Sequence, residues 1–160
     1  MTTISTPPIE MPHAEPTSPS TTPIEISFPL PKTPHTTAHV HLTFLATSTM
    51  VFLATTTPGD SAGTMKPLGS FVYAMPDRTN TRPALSTALY TSPASIDYAT
   101  RTAKILARRM RRPVYVGCSI DTVAAGSTAE EEMEGLAKIV DEIMKKWDEK
   151  QRADGVVNGV

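Results

Sequence analysis

Residues 99–120 read "ATRTAKILARRMRRPVYVGCSI", and their periodicity changes halfway. Before the proline, apolar side chains recur at Ile96, Ala99, Ala103, Leu106 and Met110, with spacings of 3, 4, 3 and 4. That is one face of an amphipathic helix. Ser92 with Pro93, or Ser95, offers a start for it. Pro113 has no N–H to donate and ends it. Beyond the proline, Val114, Val116, Cys118 and Ile120 alternate with other residues, the period of a strand with one face inward. The stretch thus demands a helix that packs beside a strand. It leaves two matters open: the purpose of Arg108, Arg109, Arg111 and Arg112, and the role of the chain's single cysteine.

Upstream, the pattern is that of strands. "IEISFPL" (24–30) alternates, with Pro29 suited to an edge or a strand end. "HVHLTFLA" (39–46) places Val40, Leu42 and Phe44 on one face and His39, His41 and Thr43 on the other. "MVFLATT" (50–56) and "LGSFVYAM" (68–75) are apolar on both faces. Between them "PGDSAG" is turn chemistry within a loop spanning about 57–66, and "PDRTNTRP" turns the chain into a fifth strand, "ALSTALY" (84–90). Downstream of the sixth strand, Thr128 and Glu131 have capping-box spacing. A second helix follows with an apolar stripe at Met133, Leu136, Val140, Ile143 and Trp147. The order of elements, with short turns between successive strands, specifies an α+β fold. We expect a mainly antiparallel six-stranded sheet with two amphipathic helices on one face.

A count of covering elements turns this fold into a statement about function. Two helices cover one face, yet the third and fourth strands are apolar on both. Large side chains left bare would form a patch of roughly 400 Å² or more, the upper end of what a soluble monomer shows. The expected partner interface therefore draws on Met50, Val51, Phe52, Leu53, Phe71, Val72 and Tyr73. One alternating set packs under the helices and the other meets a partner, with the choice left open by sequence.

Composition sets further bounds. The chain has 160 residues and a formal net charge of −1, without the basic excess of a dedicated nucleic-acid binder. A single cysteine and the absence of a signal-peptide pattern point to a reducing compartment, cytoplasmic with the nucleus as a second location. No apolar run approaches the roughly 20 residues that span a bilayer. Residues 1–23, rich in Pro, Thr and Ser, read as a disordered leader, 24–150 as a single domain and 151–160 as a flexible tail.

Candidate chemistry is sparse. Cys118 alternates with inward valines and lacks a neighbouring base, so it reads as a small buried hydrophobe. His39 and His41 share a strand face with His35 nearby, but a zinc site needs three or four ligands and no Cys or acidic cluster adjoins them. "PGDSAGT" lacks the lysine of a phosphate-binding loop. The sequence therefore offers no catalytic, cofactor-binding or metal-binding residue and does not read as an enzyme. The outer face of the first helix carries cations around an aliphatic residue. This makes Tyr98, Arg101, Ile105, Arg108, Arg109 and Arg112 a candidate second contact face. A small basic-helix domain binding RNA or an anionic membrane surface is the competing reading. It would show the steep salt dependence of phosphate contacts.

The blocks "HVHLTFLATSTMVFLATT", "LGSFVYAM", "STALYTS" and "ATRTAKILARRMRRPVYVGCSI", closed by "EEEMEGLAKIVDEIMKKW", together resemble the proteasome assembly chaperone 4 family. The "AKILARRMRRPVYVGCSI" block carries most of the likeness, which spans about residues 24–147. The resemblance implies a non-enzymatic chaperone without cofactors. It also implies a heterodimer with a proteasome assembly chaperone 3-like protein, and binding of that pair to a 20S proteasome alpha subunit to promote alpha-ring assembly. Neither nucleic acid nor membrane is among the implied partners.

Overall fold

The computed structural model describes residues 21–79 and 83–157. Nearly all of the leader thus lies outside the described residues. Six strands and two helices follow one another as β1 (Ile24–Leu30), β2 (Thr33–Phe44), β3 (Thr49–Thr56), β4 (Ser70–Met75), β5 (Leu85–Tyr90), α1 (Ile96–Met110), β6 (Val114–Cys118) and α2 (Ala129–Val157). The α+β class and the mainly antiparallel sheet are as the periodicities require.

The strand order is β1-β2-β3-β6-β4-β5. Successive strands pair antiparallel at β1–β2, β2–β3 and β4–β5. The exception is β3 and β4, which are separated by β6, parallel to β3 and antiparallel to β4. The reason is burial. Each of these three strands carries large apolar or aromatic residues on both sides, and at a sheet's centre each is flanked by strands whose side chains shield it on the helix side and pack beside it on the other. The connection from Thr57 to Gly69 has length to spare for stepping past one intervening strand, about 10 Å in the hydrogen-bonding direction.

One alternating set along the central strands is buried almost completely: Val40, Leu42, Val51, Leu53, Val72, Ala74, Val114, Val116 and Cys118. It forms a single cluster with Ala99, Ala103, Leu106, Ala107 and Met110 of α1 and with Leu136, Ile139, Val140 and Ile143 of α2. Each large aliphatic side chain so buried contributes about 1.5–3 kcal/mol. The helices are tied to each other by the ion pairs Arg101–Glu132 and Arg109–Asp141. At the far end Trp147 of α2 packs on Phe44 of β2 with ring centroids 5.4 Å apart.

The ends of the helices follow their sequence signals, with differences. Ser95 precedes α1, but its hydroxyl accepts the Ser70 N–H (3.0 Å) instead of capping the helix. Arg111 closes α1 in the left-handed conformation (φ 55°), two residues before Pro113. The capping box of α2 is formed: Thr128 N–H donates to Glu131 Oε2 (2.8 Å) and Glu131 N–H to Thr128 Oγ1 (3.3 Å). Replacing Thr128 by Ala removes the second of these bonds and is expected to lower stability by about 1 kcal/mol in a urea titration. Met133 is a correction to the expected stripe: it is exposed, and the fully buried positions of the helix start at Gly135, beside Leu30 and Tyr98, and Leu136. The helix also continues to Val157, into the segment expected as a tail, with residues 151–156 exposed.

Candidate protein interface

The second alternating set lies on the opposite side of the sheet and forms two rows. Strand register aligns His41, Phe52, Gly117, Phe71 and Tyr90 across β2-β3-β6-β4-β5. The next row is Thr43, Met50, Tyr115, Tyr73 and Thr87. Met75 and Leu85 continue the apolar surface along β4 and β5. Met50, Phe52, Phe71, Tyr73 and Tyr115 are half-buried, whereas Met75, Leu85 and Tyr90 are exposed. Four of the chain's nine Phe, Tyr and Trp residues, Phe52, Phe71, Tyr73 and Tyr115, pack ring to ring on this face.

Gly117 explains how the first row closes. It supplies no side chain between Phe52 and Phe71, so their rings stack at 6.2 Å with planes 6° apart. A Cβ at Gly117 would come within 2.5 Å of Phe52 Cδ1 and 2.8 Å of Leu68 Cδ1. Tyr115 joins the ladder at 6.0 Å from Phe71 and 4.9 Å from Tyr73. His41 meets Phe52 edge-on at 6.3 Å. The result is a continuous, ring-paved surface with few charges. Aromatic enrichment and charge depletion mark the centre of protein–protein interfaces.

At the β1 side the face sinks into a groove of about 510 Å³, lined in part by Glu25, His39, His41, Phe52, Lys66 and Leu68. The two histidines of this groove have separate partners. His39 is held between Ser27 Oγ (2.8 Å from Nδ1) and Thr56 Oγ1 (2.7 Å from Nε2), and His41 Nδ1 lies 3.7 Å from Glu25 Oε1. Among the described residues no group of three or more His, Cys, Asp or Glu side chains is placed to hold a metal ion. Cys118 is enclosed in the core, and burial pushes its thiol up to about 12, so it stays protonated and a poor nucleophile at neutral pH.

The expected interface residues divide by parity. Met50, Phe52, Phe71 and Tyr73 are brought together on the ring-paved face, whereas Val51, Leu53 and Val72 lie in the core beneath it. Sequence reasoning passed over Tyr115, Tyr90, Met75 and Leu85. The signal for Tyr115 was present, since a residue between inward Val114 and Val116 must point to the other face.

The candidate basic face is largely committed within the chain. Tyr98 is buried, which pushes its phenol upward from its ordinary value. Arg101 pairs with Glu132, and Arg109 Nη1 lies 3.4 Å from Asp141 Oδ1. Arg112 Nη2 donates to Leu45 O (2.6 Å) and Ser48 O (2.8 Å), clamping the β2–β3 turn, with its guanidinium 5.1 Å above the Trp147 ring. Ile105 is half-buried and Arg108 exposed.

The proteasome assembly chaperone 4 family matches residues 37–120, slightly more than half of the chain. The chain belongs to this family. The span matched to proteasome assembly chaperone 4 runs from within β2 to just past β6, so it contains both rows of the ring-paved face and all of α1. Among solved structures, the chain is similar to one from a study described as the crystal structure of a novel chaperone complex for yeast 20S proteasome assembly. The identity is 19%, the TM-score 0.48, and the match covers 82% of this chain and 95% of that one. No curated protein matches the chain.

Proposed function

We propose that this chain is a non-enzymatic subunit of a proteasome assembly chaperone. It pairs through its ring-paved sheet face with a proteasome assembly chaperone 3-like protein. The pair binds a 20S alpha subunit in the cytoplasm and nucleus, and promotes alpha-ring assembly. The observation that carries the reading is the unshielded face centred on Phe52, Phe71, Tyr73 and Tyr115, within the family's own span. The buried, protonated Cys118 supports a binding role over a catalytic one. The RNA or membrane reading loses support because Arg101, Arg109 and Arg112 are spent on Glu132, Asp141 and two backbone carbonyls.

Co-expression with a proteasome assembly chaperone 3-like protein tests this. Light scattering after size exclusion is expected to show a 1:1 complex that survives moderate salt and is retained on an immobilised 20S alpha subunit. The chain alone is expected to self-associate. A well-behaved monomer that ignores the chaperone partner would count decisively against the proposal.

A further inference from the structure

Once the internal ion pairs are assigned, two cations of α1 stand apart. Lys104 and Arg108 form no ion pair among the described residues, and they lie one helical turn apart, with Cβ atoms about 5–6 Å from each other on a regular helix. Between them and the start of β5 is a crevice of about 230 Å³ lined by Pro83, Ala84, Arg101, Lys104, Ile105 and Arg108. Its floor is apolar, and its rim is cationic. It adjoins α1, whose inner residues pack in the core cluster, so it opens on the helical side of the sheet and not on the ring-paved face.

We propose that this crevice docks an acidic segment of a protein, an aliphatic side chain seated on Pro83, Ala84 and Ile105 with flanking carboxylates on Lys104 and Arg108. The inference rests on the assembly-chaperone reading and deepens it. A chaperone that must hold a partner and a cargo together needs two separate surfaces, and this is a second one. Charge complementarity selects the occupant. Two free cations suit two carboxylates. Tracking a nucleic-acid backbone takes a longer series of phosphate contacts, and polybasic membrane recognition takes a cluster of 4–8 Lys and Arg. An apolar floor adds nothing to phosphate binding but rewards an aliphatic anchor.

The test uses the heterodimer with the chaperone partner and a labelled pentapeptide, leucine flanked on each side by two glutamates, read by fluorescence anisotropy. The glutamine counterpart, a short oligouridine RNA and phosphatidylserine vesicles are parallel probes. Wild-type protein is expected to bind the glutamate peptide at least about tenfold more tightly than the glutamine peptide. The double variant Lys104→Glu/Arg108→Glu is expected to lose about tenfold or more, equivalent to about 1.4 kcal/mol, and Ile105→Ser to weaken binding while pairing is unchanged. Equal peptide binding by wild type and double variant overturns the inference. So does binding of RNA or vesicles, but not peptide, that the double variant abolishes. Pairing is read first on the same samples, and its failure in the wild type overturns the reading of the ring-paved face. The peptide titration then proceeds on the chain alone, so the two failures are distinguishable.

Discussion

Leu53→Asp is expected to unfold the chain, whereas its neighbour Phe52→Asp leaves it folded and unable to pair. The two positions are adjacent on β3 and point to opposite sides of the sheet. Leu53 is 3% exposed and belongs to the cluster under the helices, paired in register with Val40 and Cys118. A carboxylate there must be desolvated with no cation to meet it, which costs several kcal/mol. It also replaces a side chain whose burial contributes about 1.5–3 kcal/mol. Together these approach the whole stability of an ordinary domain, about 5–15 kcal/mol. At position 52 the same carboxylate reaches water in the free chain, and the immediate loss is the stacking with Phe71 across Gly117. Only when a partner covers the face is that charge trapped. Circular dichroism and urea melts read the fold, and size exclusion with the co-expressed partner reads the pairing. If Phe52→Asp pairs as the wild type does, the ring-paved face is not the interface. If Leu53→Asp melts like the wild type, the division of the sheet into core and contact faces is wrong.

That division shows where reading the sequence succeeds and where it stops. The six strands and two helices were legible because each has its own period, and Pro113 and the Thr128–Glu131 box mark boundaries by local chemistry. Strand order was not legible. The insertion of β6 between β3 and β4 depends on which strands must lie between others, and that is a property of the whole sheet. The same cause hid the interface residues. Without knowing that Tyr115 stands between Met50 and Tyr73, its outward position carries no neighbourhood. Gly117 is invisible for a related reason: in sequence it weakens a strand, while in the sheet it is the gap over which two phenylalanines meet. The arginines were legible as a group but not one by one. Whether a helix cation faces water or clamps the carbonyls of Leu45 and Ser48, as Arg112 does, depends on chain more than sixty residues away. Met133 failed in the opposite sense, since it has the right period but precedes the first fully buried position of the helix, Gly135.

Gly69→Ala is expected to be the most damaging alanine substitution among the described glycines, far beyond Gly63→Ala. Both glycines have left-handed backbones, φ 69° at Gly69 and 85° at Gly63. The conformational penalty for a side chain there is similar, about 1–2 kcal/mol. Their surroundings differ. A Cβ at Gly63 meets nothing within 4 Å, whereas one at Gly69 would lie 2.0 Å from the Cys118 carbonyl oxygen and 2.7 Å from Ser119 Cα. Those atoms are backbone and cannot rotate away. Cys118 is fixed on one side by Leu53 of β3 and on the other by Ser70 of β4. The residue after Gly69 is anchored too: the Ser70 hydroxyl donates to Ser92 O (3.0 Å) and accepts the Ser92 N–H (2.9 Å). Relief therefore requires the β4–β6 pairing to open at its start, which would displace Leu68 from Gly117 and dismantle one wall of the groove beside Phe52. The expected loss exceeds about 4 kcal/mol, in the exceptional range for a single substitution, and lowers the melting temperature by more than about 15 °C. Gly63→Ala should cost only the conformational term, about 1–2 kcal/mol, and leave partner pairing intact. Equal shifts for the two variants in paired thermal melts would place the whole cost in φ and remove the close approach to Cys118 as its cause.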